Sequence, residues 1–162
     1  MIFVTTGSAV KGIDFTRLIR RMDEIAQSLE EEVVMQIGPI PYRPQYASFF
    51  EYCSFQEALT YFERASLVVG HCGIGTILNA LRFRVPIIVV PRRIHYGELN
   101  RDDHQIEVAH RIEGKRLLHV VYEMEDLERT IRTILSDHSS PPISEPFLER
   151  KRLAEAIKAF IR

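Results

Sequence analysis

Cysteine is scarce in this chain: Cys53 and Cys72 are the whole complement. Two thiols this far apart suggest no disulfide framework and form no tight zinc knuckle. An excess of either charge is missing too, since the formal net charge is −1. No overall basic field therefore points to nucleic acid. Uninterrupted apolar runs fall well short of the roughly 18 to 20 residues that a membrane span needs. The first residues, MIFVTTGS, lack the basic start and long apolar stretch of a signal peptide. Internal repeats, low-complexity tracts, a nucleophile elbow and a kinase loop are also missing. These absences together lead us to expect a soluble protein of the cytoplasm.

What is present is enough apolar material for a core: 46% of the 162 residues are hydrophobic, most simply in one domain. Strand and helix patterns alternate along the chain. Residues 2 to 6 read as a strand, and Asp14 as the cap of a helix whose apolar face is Phe15, Leu18, Ile19, Met22, Ile25, Ala26 and Leu29. Val33 to Ile37 reads as a second strand, and the proline-bearing residues 39 to 47 as a loop. Phe49 to Cys53 is a short third strand and Gln56 to Arg64 a helix. Leu117 to Val121 is a further strand, followed by a helix carrying Leu127, Ile131, Ile134 and Leu135. This alternation predicts a Rossmann-like α/β fold, a parallel sheet with helices on both faces. We expect that domain to span residues 1–138. Residues 139–162 would be a linker and an amphipathic C-terminal helix with Phe147, Leu148, Leu153, Ala154, Ile157, Phe160 and Ile161 on one face. Such a helix either closes its own domain or reaches to a partner.

Residues 66 to 110 carry the most information. Leu67-Val68-Val69-Gly70 reads as a buried strand, His71-Cys72-Gly73-Ile74-Gly75-Thr76 as a turn into a helix, and Pro86 to Pro91 as the next strand. A helix N-terminus presents free N–H groups and partial positive charge, which suits phosphate. Gly73 and Gly75 would let backbone approach a diphosphate, and Thr76 can donate a hydroxyl hydrogen bond. The same glycines also serve a tight strand-to-helix connection with no ligand. Arg92 and Arg93 directly follow a strand on that sheet edge. Their guanidinium forks fit phosphate, or simply face solvent. Cys72 reads as a small apolar packing residue.

The motifs VVGHCGIGTILNAL and DDHQIEVA, with IFVTTGS, DFTRLIRRMDEIA and QIGP before them, carry a resemblance over most of the chain. The chain resembles the C-terminal, nucleotide-binding half of family 28 glycosyltransferases of the GT-B type. It is most similar to the small stand-alone subunit of split versions, in bacterial exopolysaccharide and capsule pairs and in the eukaryotic two-subunit transferase that extends dolichol-linked sugar. The resemblance implies a donor-binding subunit that moves a hexose-type sugar from a UDP-sugar to a lipid-linked saccharide. It implies no metal or other cofactor. A membrane-associated, acceptor-binding partner would recruit the chain to the inner face of the membrane and supply or complete the catalytic base.

The resemblance also assigns roles. Gly7 and Ser8 match a second phosphate-facing loop, beside Gly73, Gly75 and Thr76. Asn79 stands where the family usually has an acidic ribose ligand, so the ribose contact is altered here, or Asn79 is ordinary helix surface. His104 and Gln105 match the pair that contacts the donor sugar hydroxyls. Asp102, three residues before Gln105, also fits a helix-capping arrangement. His71 matches a histidine of the split relatives; it faces the ligand, as a weak candidate for catalysis, or is packed against backbone. Glu98 matches the bacterial form without a defined role. Three other readings stand beside the transferase: a non-catalytic enhancer of a membrane partner, an unrelated nucleotide-binding module, and a fragment of a sugar-nucleotide epimerase.

Overall fold

Strands buried on both faces favour near-continuous apolar runs, and IFVT, LVVGH and IIVV supply them up to their polar ends at Thr5 and His71. The computed structural model describes residues 1–7, 14–98 and 104–137. The amphipathic segment 139–162, together with Ser8, Asp102 and Asp103, lies outside the described residues. Along the chain run β1 (Ile2–Thr5), α1 (Thr16–Ala26), β2 (Val33–Gln36), β3 (Ser48–Phe50), α2 (Phe55–Arg64) and β4 (Leu67–His71). They are followed by α3 (Ile74–Arg82), β5 (Ile87–Val90), α4 (His104–Ile112), β6 (Leu118–Val120) and α5 (Leu127–Ser136).

The strands form one six-stranded sheet in the order β3-β2-β1-β4-β5-β6. Every pairing is parallel. Chain order reverses direction between β1 and β4, where an open parallel sheet leaves a crevice at the carboxyl ends of its strands. Side-chain alternation divides the core in two. Ile2, Val4, Val69 and Ile88 pack with Leu18 and Met22 of α1 and Leu127 and Ile131 of α5. Phe3, Val68, Ile87 and Val89 pack on the other face with Phe62 of α2, Ile77 and Ala80 of α3, and Val108 and Ala109 of α4. The expected Rossmann-like sheet, covered on both faces, is the observed one.

Local differences have local causes. The N-cap of α1 is Phe15, whose side chain is buried, so Asp14 precedes the cap. Its carboxylate still accepts a hydrogen bond from the Thr16 N–H at 2.7 Å. The third strand is Ser48–Phe50, earlier than the expected Phe49 to Cys53. Its pairing ends because the chain next forms the capping box of α2, where the Ser54 hydroxyl accepts from the Glu57 N–H and the Glu57 carboxylate from the Ser54 N–H. Loop 39–47 is held against α1 by the buried Asp23 carboxylate, which accepts from the Tyr42 hydroxyl and the N–H groups of Gln45 and Tyr46.

Candidate functional site

The loops after β1, β4 and β5 meet at the carboxyl edge of the sheet. β1 leads into Thr5-Thr6-Gly7, where the Thr5 hydroxyl donates to Gln36 Oε1 at 2.7 Å and accepts from the Gly7 N–H at 3.0 Å. β4 leads through His71 and Cys72 to Gly73, the N-cap of α3, which makes no side-chain cap bond. The first N–H groups of α3 thus have no capping side chain of their own.

Two of the glycines here are explained by one imidazole. A Cβ on Gly7 would lie 2.2 Å from His71 Cε1, and one on Gly73 would lie 2.1 Å from His71 Nε2. The ring occupies the space that either side chain would need. Gly7 also has a φ of +75°, which favours glycine in its own right. Gly75 differs: a Cβ there would meet nothing within 4 Å. Among the described residues no neighbour demands a glycine at that point.

Gly7, His71, Gly75, Thr76 and Asn79 line one cleft of about 470 Å³. Gln36, Cys53, Ser54 and the rings of Tyr52 and Phe55 form its far wall. These wall residues escaped the reading of the sequence. Their signal was the aromatic pair flanking Cys53 and Ser54 just before a helix, and it is the exposure of Tyr52 (57%) and Phe55 (61%) that marks them. A larger cleft, about 900 Å³, opens at the opposite end of the strands, where Ser66, Pro86 and Leu117 precede β4, β5 and β6. Ligands of open parallel sheets bind at the carboxyl ends, so the smaller cleft is the candidate site.

The His71 imidazole is pushed down to about 3 by burial, and by the charges of Arg92 and His104. It is neutral at physiological pH, with Nδ1 3.5 Å from the Thr76 hydroxyl. Burial similarly raises the Cys72 thiol to about 12, which fits a packing role.

The structure separates the arginine pair. Arg92 is 4% exposed. It donates to the Thr6 carbonyl and lies over the Phe15 ring at 5.0 Å. Burial lowers it only to about 10, so it remains a cation, and its Nε has no hydrogen-bond partner among the described residues. It lies behind the cleft and does not line it. Arg93 turns toward β6, donating to the Tyr122 carbonyl at 3.1 Å and the Glu123 carboxylate at 3.0 Å. Glu98 acquires a role here. Its buried carboxylate pairs with Arg17 of α1 and accepts from the Arg93 N–H at 2.9 Å. Gln105 is buried, and its Oε1 accepts from the N–H groups of Cys72 and Arg92. His104 is exposed at the start of α4, within electrostatic reach of His71. Among the described residues no group of three or more His, Cys, Asp or Glu side chains converges as a metal site would require. No helix among them is long and apolar enough to cross a membrane.

Fold and cleft define the class first: a Rossmann-like α/β domain whose candidate site is the glycine turn at the point of strand reversal. The particular family follows from sequence. The chain belongs to the family described as "Glycosyltransferase family 28 C-terminal domain", matched over residues 1–159. Solved glycosyltransferases share the fold. The glycotransferase of kitacinnamycin superposes with a TM-score of 0.64 at 19% identity, covering 84% of this chain and 35% of that one. CalG4, the calicheamicin glycosyltransferase, gives 0.65 at 17% identity over 99% of this chain and 41% of that one. MurG of Acinetobacter baumannii gives 0.59 at 17% identity, over 83% and 40%. The chain therefore spans about two fifths or less of the structural neighbours named here. Among curated proteins none matches the sequence.

Proposed function

We propose that the chain is the donor half of a glycosyltransferase, binding a UDP-sugar with its diphosphate at the turn between β4 and α3. The observation that carries this reading is Gly75, a glycine that no neighbour among the described residues requires, lining the cleft at a helix N-terminus whose N-cap residue, Gly73, makes no side-chain cap bond. An anion there would gain roughly 1 to 2 kcal/mol from the helix dipole. The Thr76 hydroxyl and the Gly7 loop with Ser8 are the further partners, and the Arg92 cation behind the cleft adds positive potential. The charge that develops on departing UDP is met by fixed N–H groups and a desolvated guanidinium. Asn79, on the cleft wall, takes the ribose side, and the sugar falls toward His71 and His104.

We assign the acceptor site to a membrane-associated partner that binds a lipid-linked saccharide and supplies the base for the acceptor hydroxyl. The pair would act at the inner face of the membrane in exopolysaccharide or capsule synthesis.

Thermal unfolding against UDP, ADP, GDP and a panel of UDP-sugars tests the donor reading. Ligand at about 100 times its dissociation constant adds roughly 2.7 kcal/mol, a rise of order 5 to 10 °C for a chain of this size. A rise with UDP compounds alone is the expected result; equal responses to all three nucleotides, or none, would defeat it. Transfer to a lipid-linked acceptor by the isolated chain would defeat the two-component part.

A further inference from the structure

We infer that Gln105 is a positioning residue for the donor site, its side-chain oxygen setting the spacing between the turn after β4 and the loop after β5. The inference rests on the donor-site reading and adds a structural determinant to it. β4 and β5 remain paired as far as His71 and Val90. The β4–β5 ladder stops at that pair, and Pro91, the residue after β5, has no N–H to carry the pairing with β6 further. Beyond that break stand the backbone N–H groups of Cys72 and Arg92. Both residues are buried, and an unpaired buried N–H is costly.

Gln105, 4% exposed, satisfies both. Its Oε1 accepts from Cys72 at 3.2 Å and from Arg92 at 3.0 Å. Two N–H donors facing one atom identify it as the oxygen of the carboxamide, and they use both of its lone pairs. One atom therefore replaces the missing rung of the sheet. It holds Cys72, which adjoins the cap of α3, at a fixed distance from Arg92, whose guanidinium is tied to the Thr6 carbonyl. The bridge thus joins the loops after β4 and β5 directly and reaches the loop after β1 through Arg92. Any contact with a sugar hydroxyl is left to the amide nitrogen.

Two substitutions in the full chain separate this role from sugar contact. Gln105→Glu keeps an accepting oxygen and loses the amide donor. Gln105→Met keeps the length and loses the acceptor. The readouts are amide hydrogen exchange at Cys72 and Arg92 and affinity for UDP, which carries no sugar for Gln105 to touch. The Met variant should exchange faster at both amides and bind UDP roughly tenfold more weakly, the measure of one buried hydrogen bond. The Glu variant should retain both protection and UDP affinity. UDP affinity unchanged in the Met variant, or lost equally in the Glu variant, would overturn the inference. Should the Met variant not fold, the Glu variant decides: retained UDP affinity supports the bridge and lost affinity overturns it. If the wild-type chain itself binds no UDP, the donor reading fails, while exchange at the two amides still tests the bridge.

Discussion

The turn after β4 and the loop after β5 lie side by side on the same sheet edge, and they spend their polar groups in opposite ways. At the start of α3 the turn is sparing of partners: Gly73 caps the helix without a side-chain bond, and a Cβ on Gly75 would meet nothing among the described residues. The loop uses its own groups internally. Glu98 is taken by Arg17 and the Arg93 N–H, Arg93 by Tyr122 and Glu123, and the Arg92 N–H by Gln105. Charged residues beside a cleft therefore need not line it. Here the groups of the charged loop bind one another, and the uncharged turn lines the candidate cleft.

The sharpest test of this contrast compares two glycines of the turn. Gly73→Ala places a methyl group 2.1 Å from His71 Nε2, and should destabilise the chain by roughly 2 to 3 kcal/mol or prevent folding. Adding His71→Ala should recover much of that loss in denaturant titrations, as two residues sharing one space are not additive. Gly75→Ala should leave stability unchanged or raise it by up to about 1 kcal/mol, since it lies within α3 and meets nothing. Its UDP affinity should fall nonetheless. Equal stability losses in the two variants would erase the distinction.

On the loop side, Glu98→Ala leaves Arg17 and the Arg93 N–H without their shared carboxylate. A loss of roughly 2 to 4 kcal/mol in unfolding free energy is expected, below that of a fully buried pair because Arg17 is partly exposed. A loss under half a kcal/mol would show the loop to be held by other means.

Acidification addresses the His71 ring between the glycines. Its folded-state pKa of about 3 lies below the ordinary 6.5, chiefly through burial, so the unfolded chain binds the proton first. Stability from the neutral ring is complete above about 6.5 and falls as pH drops toward 3, by about 1.4 kcal/mol per unit at the steepest. Unfolding of wild type and His71→Asn at pH 7.5 and 5.5 should show the larger decline in wild type. Parallel declines would mean that the ring titrates normally.

The arginine pair gives a smaller effect, read in binding. Arg92→Ala should weaken UDP binding more than about tenfold, because its buried cation lies behind the cleft and ties the loop after β5 to Thr6. Arg93→Ala should leave UDP affinity within about twofold, because its guanidinium is engaged beside β6. Reversed ranks in calorimetric titration would return Arg93 to the site. Smallest is Asn79→Asp, for which UDP affinity should rise by roughly threefold if the side chain accepts from ribose; an unchanged constant would make Asn79 plain cleft wall.

The sheet was readable along the chain because strands buried on both faces require unbroken apolar runs, and their helical covers repeat every three to four residues. The glycine turn was readable too, from Gly73 and Gly75 between a strand and a helix. Their division of labour was not, because the reason for Gly73 is a ring from the same turn folded back over it, and that of Gly75 is the lack of any neighbour. For Gln105 the motif suggested a sugar contact, and it held no sign that the oxygen accepts from two N–H groups 33 and 13 residues away in sequence. Tyr52 and Phe55 entered the site only because β3 ends early and the capping box of α2 turns the chain beside β1 and β4.

Order of elements, faces of burial and the place of the turn are local properties, written in hydrophobic period and in glycine, and the amino-acid sequence by itself determined them. Which of two adjacent arginines stays behind the site, which carboxylate closes a loop and which amide bridges two strands are contacts between distant segments. Periodicity carries no record of such pairings, and only the tertiary structure, by bringing the segments into hydrogen-bond distance, decided them.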